Sequence, residues 1–206
     1  MQLLRKIILA SSSEQRKHLL DQIGLQNFEI TSPKINENCL DVNLPITKKV
    51  VELAYLKAIT VKKRLPTTDC IIISGDTEVF RCGKIFSKCS SESQVIKHLS
   101  ELSGKKHFVY SGICVIGPTG QVFKRFVQTE VYFDRIPNSE FSNKLLINEG
   151  VGKAGGYAIQ GLAGKFVKKI RGSYSNVVGL SLNHLYKILI NIGLKNWNFI
   201  TPVVIT

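Results

Sequence analysis

The chain of 206 residues is notable first for what it lacks. Nowhere do about eighteen apolar residues run together, as a membrane-spanning helix needs. The opening segment, Met1 to Ala10, has only short apolar runs broken by Arg5 and Lys6, so a secretory leader is not expected. The cysteines are Cys39, Cys70, Cys82, Cys89 and Cys114, an odd number with no C-x-x-C pair. That argues against a disulfide framework and a structural zinc site, and reduced thiols imply a cytoplasmic protein. No cysteine stands in a nucleophile motif. There is no internal repeat, no disordered linker and no break in composition. One domain over residues 1–206 is expected, with any second lobe an excursion from the same sheet.

Acidic residues are scarce. Asp and Glu total 15 against 28 Lys and Arg, a formal net charge of +13. Such an excess favours polyanionic partners: nucleotides, nucleic acid or an anionic membrane surface. A Lys-, Ile- and Asn-rich chain can also owe its charge to genome base composition. The basic residues are scattered in short groups such as Lys48-Lys49 and Lys62-Lys63-Arg64, without the interleaved aromatics of an RNA-binding segment. Nucleotide binding therefore ranks well above nucleic-acid binding. A hydrophobic fraction of 44% is enough for a core and excludes disordered and collagen-like classes.

The pattern along the chain alternates strands and helices early, with an antiparallel hairpin in the middle. Lys6 to Ala10 reads as a buried strand, followed by Ser11-Ser12-Ser13 and a helix ended by Gly24. Asn27 to Thr31 reads as a strand, Thr47 to Arg64 as a helix capped by Thr47, and Cys70 to Ser74 as a strand ending at Gly75-Asp76-Thr77. A hairpin is expected around Gly83, a helix over Ser91 to Leu102, and two long strands on either side of Pro118-Thr119-Gly120. Pro137 to Ile147 reads as a helix, Lys165 to Ile170 as a strand and Gly179 to Ile190 as the last helix, with glycine-rich loops at 150–156 and 161–164. The sum is a mixed-sheet α/β protein.

Five places could carry chemistry. Ser11 to Ser13 before a helix, with Arg16 one turn in, makes an anion site, although serines there usually only cap. Asp76, after a hydrophobic strand, could hold a divalent cation or take a proton from water; an Asp before Thr also caps turns. Glu37 is a loop acid that gains interest as a second carboxylate beside Asp76. Lys57 lies beside the apolar stripe of its helix, where a snorkelling role is the plain alternative, and Lys88 is a loop cation. Lys153 to Gly161 is dense in small residues that permit close backbone approach, and Gln160 offers donor and acceptor for a base edge.

These segments, in this order and spacing, resemble the Maf family of nucleoside triphosphate pyrophosphatases. The resemblance rests on Leu9-Ala10-Ser11-Ser12-Ser13 with Arg16, Ile35-Asn36-Glu37, Leu53-Ala54 with Lys57-Ala58, and Gly75-Asp76-Thr77. Further pieces are Gly83-Lys84-Ile85 with Lys88, Leu102-Ser103-Gly104 with His107 and Gly112, Lys153 to Gly161, and Gly172 to Leu180. It implies an α/β fold with a mixed twisted sheet flanked by helices, and two lobes around a central cleft, like the inosine triphosphate pyrophosphatases. It implies hydrolysis between the α- and β-phosphates with a divalent metal cation (Mg2+, Mn2+ or Co2+), and it allows a homodimer. Asp76 takes the role of proton acceptor and, with Glu37, binds metal. Ser11, Ser13, Arg16, Lys57 and Lys88 match the phosphate site, while Gln15, Thr77 and Gln160 match positions linked to substrate choice. Thr77 and Gln160 fit the branch that prefers dTTP and UTP. The family usually has Ser-Pro-Arg-Arg where this chain has Ser13-Glu14-Gln15-Arg16, and Glu14 would repel a triphosphate if it faced inward. That departure motivates a second reading, a nucleotide-sensing protein without turnover.

Overall fold

The computed structural model describes residues 6–25, 27–36, 40, 43–65 and 69–194. Its centre is a mixed seven-stranded sheet in the order β2-β1-β3-β5-β6-β7, with β4 also paired to β3. β1 (Lys6–Leu9) lies parallel to β2 (Phe28–Ile30) and to the start of β3 (Cys70–Arg81). Its Ile7, Ile8 and Leu9 are all buried, as a parallel strand covered on both faces requires. The other pairings are antiparallel: β4 (Lys84–Phe86) and β5 (Lys106–Ile116) on β3, then β6 (Val122–Phe133) and β7 (Val167–Arg171). Cys82 and Gly83, with φ of 47° and 78°, form the two-residue hairpin turn between β3 and β4.

The helices follow local signals. α1 (Glu14–Gln22) starts at Ser13, whose hydroxyl accepts from Arg16 N–H. α2 (Ile46–Lys62) begins one residue before Thr47, and not at a Thr47 cap. Pro45, with φ fixed at −52°, sets the entry, and its carbonyl accepts from the N–H groups of Lys48 and Lys49. α3 (Glu92–Leu102) is capped by Ser91. The helix expected over 137–147 is broken in two. A 3-10 turn covers Asn138–Ser142, and Asn143 then caps α4 (Lys144–Gly150) by accepting from the N–H groups of Leu145 and Leu146. A second 3-10 turn (Leu162–Phe166) delays the start of β7 to Val167. The last helix does not start at Gly179: that glycine, at φ 145°, ends a short unexpected α5 (Tyr174–Val178), and α6 (Leu182–Asn191) begins only after Ser181.

The largest departure is β3. It does not end at Gly75 but continues through Asp76 and Thr77 to Arg81. β5 pairs with it from Ile72↔Ile116 to Phe80↔Phe108, so the backbone groups of 74–78 keep a ladder on that edge and have no reason to turn.

Alternation along β3 and β5 then builds the layers. On one face α2 packs Ala54, Ala58 and Val61 over Ile8, Ile72 and Cys114. On the other face α1 and α6 cover Leu9, Ile73 and Ile113 with Leu20, Leu185 and Leu189. Farther along that same face, Val79, Val109 and Val131 join Phe86, Leu99, Leu146 and Tyr157 in a third core, the second lobe. β3 and β5 thus run through both lobes, and the gap between the second and third cores is a cleft. No helix among the described residues is long and apolar enough to cross a membrane.

Two positions test this packing. A Cβ at Gly112 on β5 would stand 2.1 Å from the Val50 carbonyl oxygen of α2, so Gly112→Ala should destabilise the fold by about 3 kcal/mol or more, read from urea unfolding. His107 is fully buried and hydrogen-bonded at 2.8 Å to Tyr157, and burial, helped by the Arg81 charge, lowers its pKa to about 4. The unfolded imidazole titrates at its ordinary value, so this contribution is complete above about pH 6.5 and is lost as pH falls from there towards 4. Wild type should lose about 3 kcal/mol more than His107→Phe across that window.

Candidate active site

The cleft between the lobes has a volume of about 550 Å3, within the range of small-molecule sites. From the first lobe it is lined by Ser11, Ser13, Gln15 and Arg16 at the β1–α1 junction, by Lys57 of α2 and by Thr77 of β3. From the second lobe it is lined by Lys88 after β4 and by the loop from Gly152 to Gln160, while Val79, Val109 and Val177 add apolar wall. These site residues, separated in sequence by up to one hundred and forty-odd positions, share one cavity. Glu37 lies outside the described residues. Asp76 stands directly behind Lys57.

The Ser11–Arg16 turn is wired before any ligand arrives. Ser11 Oγ accepts from Ser13 N–H at 3.2 Å and from Arg16 Nη1 at 3.1 Å. Ser13 Oγ accepts from Arg16 N–H at 3.4 Å and donates to Gln15 Oε1 at 3.2 Å. Arg16 Nε donates to the Gly179 carbonyl at 2.9 Å and Nη2 to Thr77 Oγ1 at 3.1 Å. Gly75 makes room for this: a Cβ there would lie 3.2 Å from Arg16 Nε. Glu14 sits at the mouth but pairs with Lys17 at 3.8 Å, its side chain 67% exposed, so its charge is turned towards that lysine and solvent while still favouring the helix N-terminus.

Asp76 is placed by a gap in the sheet. β1 leaves the β3 edge after Leu9↔Ile73, with Ala10 N–H donating to Ile73 as the last rung, and β4 takes up the same edge only at Val79↔Phe86. Across Ser74 to Glu78 that edge has no strand neighbour among the described residues. Ser74 Oγ ties β3 to the Ala54 carbonyl of α2 at 2.6 Å, which seats the next turn of the helix over the gap. There Lys57 Nζ reaches Asp76 Oδ1 at 2.6 Å, with side chains only 7% and 8% exposed. Asp76 Oδ2 is buried and accepts no hydrogen bond among the described residues. A buried carboxylate oxygen in that state costs about 1–3 kcal/mol and points to a missing donor or cation.

The opposite wall is held by backbone. Lys88 bridges Ala154, Gly152 N–H donates to the Cys89 carbonyl, and Gly155 N–H donates to Phe86. Gly156 adopts φ 73°, and a Cβ on it would press within 3.2 Å of both Cys89 Sγ and Val95 Cα. Glycine here lets the Ala154–Gln160 wall lie against β4 and α3.

A family model described as Maf-like protein matches residues 6–192. The chain belongs to the Maf-like protein family. A relative from Clostridium perfringens (strain 13 / Type A), named dTTP/UTP pyrophosphatase, is 43% identical over 187 residues, covering 90% of this chain and 96% of that one. One of the same name from Sphingopyxis alaskensis is 40% identical over 188 residues, covering 91% and 97%. A solved chain from Mycobacterium abscessus, described as a nucleoside-triphosphatase / dITP/XTP pyrophosphatase, overlays with a TM-score of 0.41 at 12% identity, covering 90% and 94%.

In this Maf-like protein the cleft also carries Lys34 and Lys153, so cations dominate its walls. Lys34 holds φ 44°, an uncommon conformation for a side-chain-bearing residue. Lys34 and the Gly179 carbonyl carry no signal in the sequence that marks them for this cleft. Ser111 has one signal, a polar residue in an apolar strand; its register opposite Thr77 appears only on folding. The three buried cysteines are not prepared as nucleophiles: burial raises the pKa of Cys70, Cys89 and Cys114, the last to about 12, while Cys82 is exposed on the β3–β4 turn and outside the cleft. Cys39 lies outside the described residues.

Removing one partner of the buried pair should be severe. Lys57→Met leaves the Asp76 carboxylate uncompensated, and chemical denaturation should show a loss of about 3–5 kcal/mol, partly recovered by adding Asp76→Leu. A loss below about 1 kcal/mol would mean that the pair is not closed in solution.

Proposed function

We propose that this Maf-like protein is a cytoplasmic hydrolase that converts nucleoside triphosphates to the monophosphate and pyrophosphate, with dTTP and UTP as preferred substrates. Supporting the reading are relatives named dTTP/UTP pyrophosphatase that match nearly the whole chain. The observation that carries it is the buried, unpartnered Asp76 Oδ2, held next to Lys57, which lines a cationic cleft of nucleotide size. A cleft rich in lysine and arginine suits a polyphosphate tail and would strengthen as the substrate excludes water.

In this reading Ser11, Ser13, Arg16, Lys57 and Lys88 hold the phosphates. Lys57 fixes one oxygen of Asp76, and Asp76 takes the proton of the attacking water. The water oxygen bonds to the α-phosphorus, the bond from the α-phosphorus to the bridging oxygen breaks, and pyrophosphate leaves with that oxygen and the bonding electron pair. Most of the acceleration in such displacements is positioning and electrostatics. Gln160 reads the base from the second lobe, and Gln15 tunes the phosphate turn through its bond with Ser13.

A divalent cation (Mg2+, Mn2+ or Co2+) fits the same place, because Asp76 Oδ2 is an unengaged hard oxygen donor; Glu37 would be its second protein ligand. When bound, it neutralises phosphate charge and polarises the phosphoryl oxygens.

The test is product analysis with UTP, dTTP and 7-methyl-GTP in each metal. Monophosphate and pyrophosphate should appear in equal amounts, fastest from UTP and dTTP. Asp76→Asn, which keeps an oxygen beside Lys57, should lower kcat by about a hundredfold or more. Release of diphosphate and inorganic phosphate would overturn the bond assignment. Unchanged turnover in Asp76→Asn would overturn its role, and tight binding without turnover would favour the sensor alternative.

A further inference from the structure

We infer that Ser111 is a positioning residue: acting through Thr77, it fixes the guanidinium plane of Arg16 in the phosphate grip. The inference rests on the triphosphate reading above and deepens it.

The available protons fix the direction of each hydrogen bond around Thr77. A guanidinium only donates, so Thr77 Oγ1, 3.1 Å from Arg16 Nη2, must accept from it. Thr77 has one hydroxyl proton and two neighbours that could take it, Ser111 Oγ at 3.0 Å and the Gly179 carbonyl at 3.3 Å. Ser111 is 1% exposed, and Thr77 is the partner of its hydroxyl among the described residues. If Thr77 gave its proton to Ser111, the Ser111 O–H would be buried without an acceptor, a costly arrangement. The opposite order satisfies every group: Ser111 donates to Thr77, and Thr77 donates to Gly179.

That order closes a ring. The Gly179 carbonyl also accepts from Arg16 Nε at 2.9 Å, so Arg16 and Thr77 are joined both directly and through the same carbonyl. Ser11 Oγ holds Nη1 from a third side at 3.1 Å. A hydroxyl that accepts from Ser111 is polarised and donates better, so Ser111 strengthens the ring without touching Arg16. Thr77 Oγ1 then has its proton and both lone pairs engaged. Its effect on substrate therefore passes through Arg16 and not through a contact with the base.

The experiment measures binding of inorganic tripolyphosphate by calorimetry alongside steady-state kinetics on UTP and dTTP. Ser111→Ala should weaken tripolyphosphate binding and raise KM by roughly three- to tenfold, change kcat less than twofold, and leave the UTP-to-dTTP ratio unchanged. In an Arg16→Lys background, where the ring cannot form, Ser111→Ala should have no further effect. Thr77→Ser should stay near wild type while Thr77→Val loses at least as much as Ser111→Ala, a comparison that also serves if Ser111→Ala fails to fold. The inference is overturned if Ser111→Ala binds like wild type, if its loss is the same in the Arg16→Lys background, or if the loss falls on kcat or base selectivity. A wild type that binds tripolyphosphate but turns over no triphosphate refutes the enzymatic reading and leaves Ser111 to be judged on binding alone.

Discussion

Lys57 and Asp76 meet at 2.6 Å in a place where neither charge could be buried without the other. Much of the surrounding architecture serves that meeting. β3 must run on past β1 so that Asp76 lies on a strand edge with no strand neighbour among the described residues. α2 must approach β5 closely enough to bring Lys57 over that edge, which requires glycine at 112 and the Ser74 hydroxyl on Ala54. The result is a carboxylate with Oδ1 fixed by Lys57 and Oδ2 buried without a hydrogen-bond partner among the described residues, next to the lysine that lines a cationic cleft.

The two lobes share backbone and not merely a linker. Because β3 and β5 span both cores, the walls of the cleft are held in register by one continuous antiparallel ladder. The first wall is rigid through side chains, in the Ser11, Ser13, Arg16 and Thr77 bonds. The second is rigid through backbone, in the glycine-rich strap laid against Phe86 to Cys89. Side-chain anchoring fixes the direction in which that wall presents its donors to the cleft. Backbone anchoring leaves Gln160 exposed on its loop.

The surplus of positive charge acquires a local meaning. Arg16, Lys34, Lys57, Lys88 and Lys153 come from five separate segments and converge on one cavity. Elsewhere many lysines are answered by surface acids, such as Lys84 by Glu101 and Lys124 by Glu52, pairs that contribute little to stability.

Much of the fold was legible in the sequence, because burial leaves a periodic trace. The apolar run at Ile7 to Leu9, the α2 stripe and the Gly83 hairpin were all readable, since each is decided by neighbours a few residues away. The end of β3 was not legible: Gly75 looks like a stop until β5 supplies the ladder that carries the strand through it. The helix over 137–147 failed for the opposite reason, since Asn143 satisfies the backbone locally and ends one turn to begin another.

For the site, the sequence by itself determined the kinds of groups: serines before a helix, two lysines, an aspartate after a strand, and glycines at a wall. Their residue types are chemistry, and chemistry is written in the chain. Only the tertiary structure decided that Lys57 closes on Asp76, that Arg16 is braced by Thr77 and Gly179, and that Ser111 belongs to that network. These are contacts between residues dozens of positions apart, set by sheet register and helix approach, and no local pattern encodes a distance across the fold.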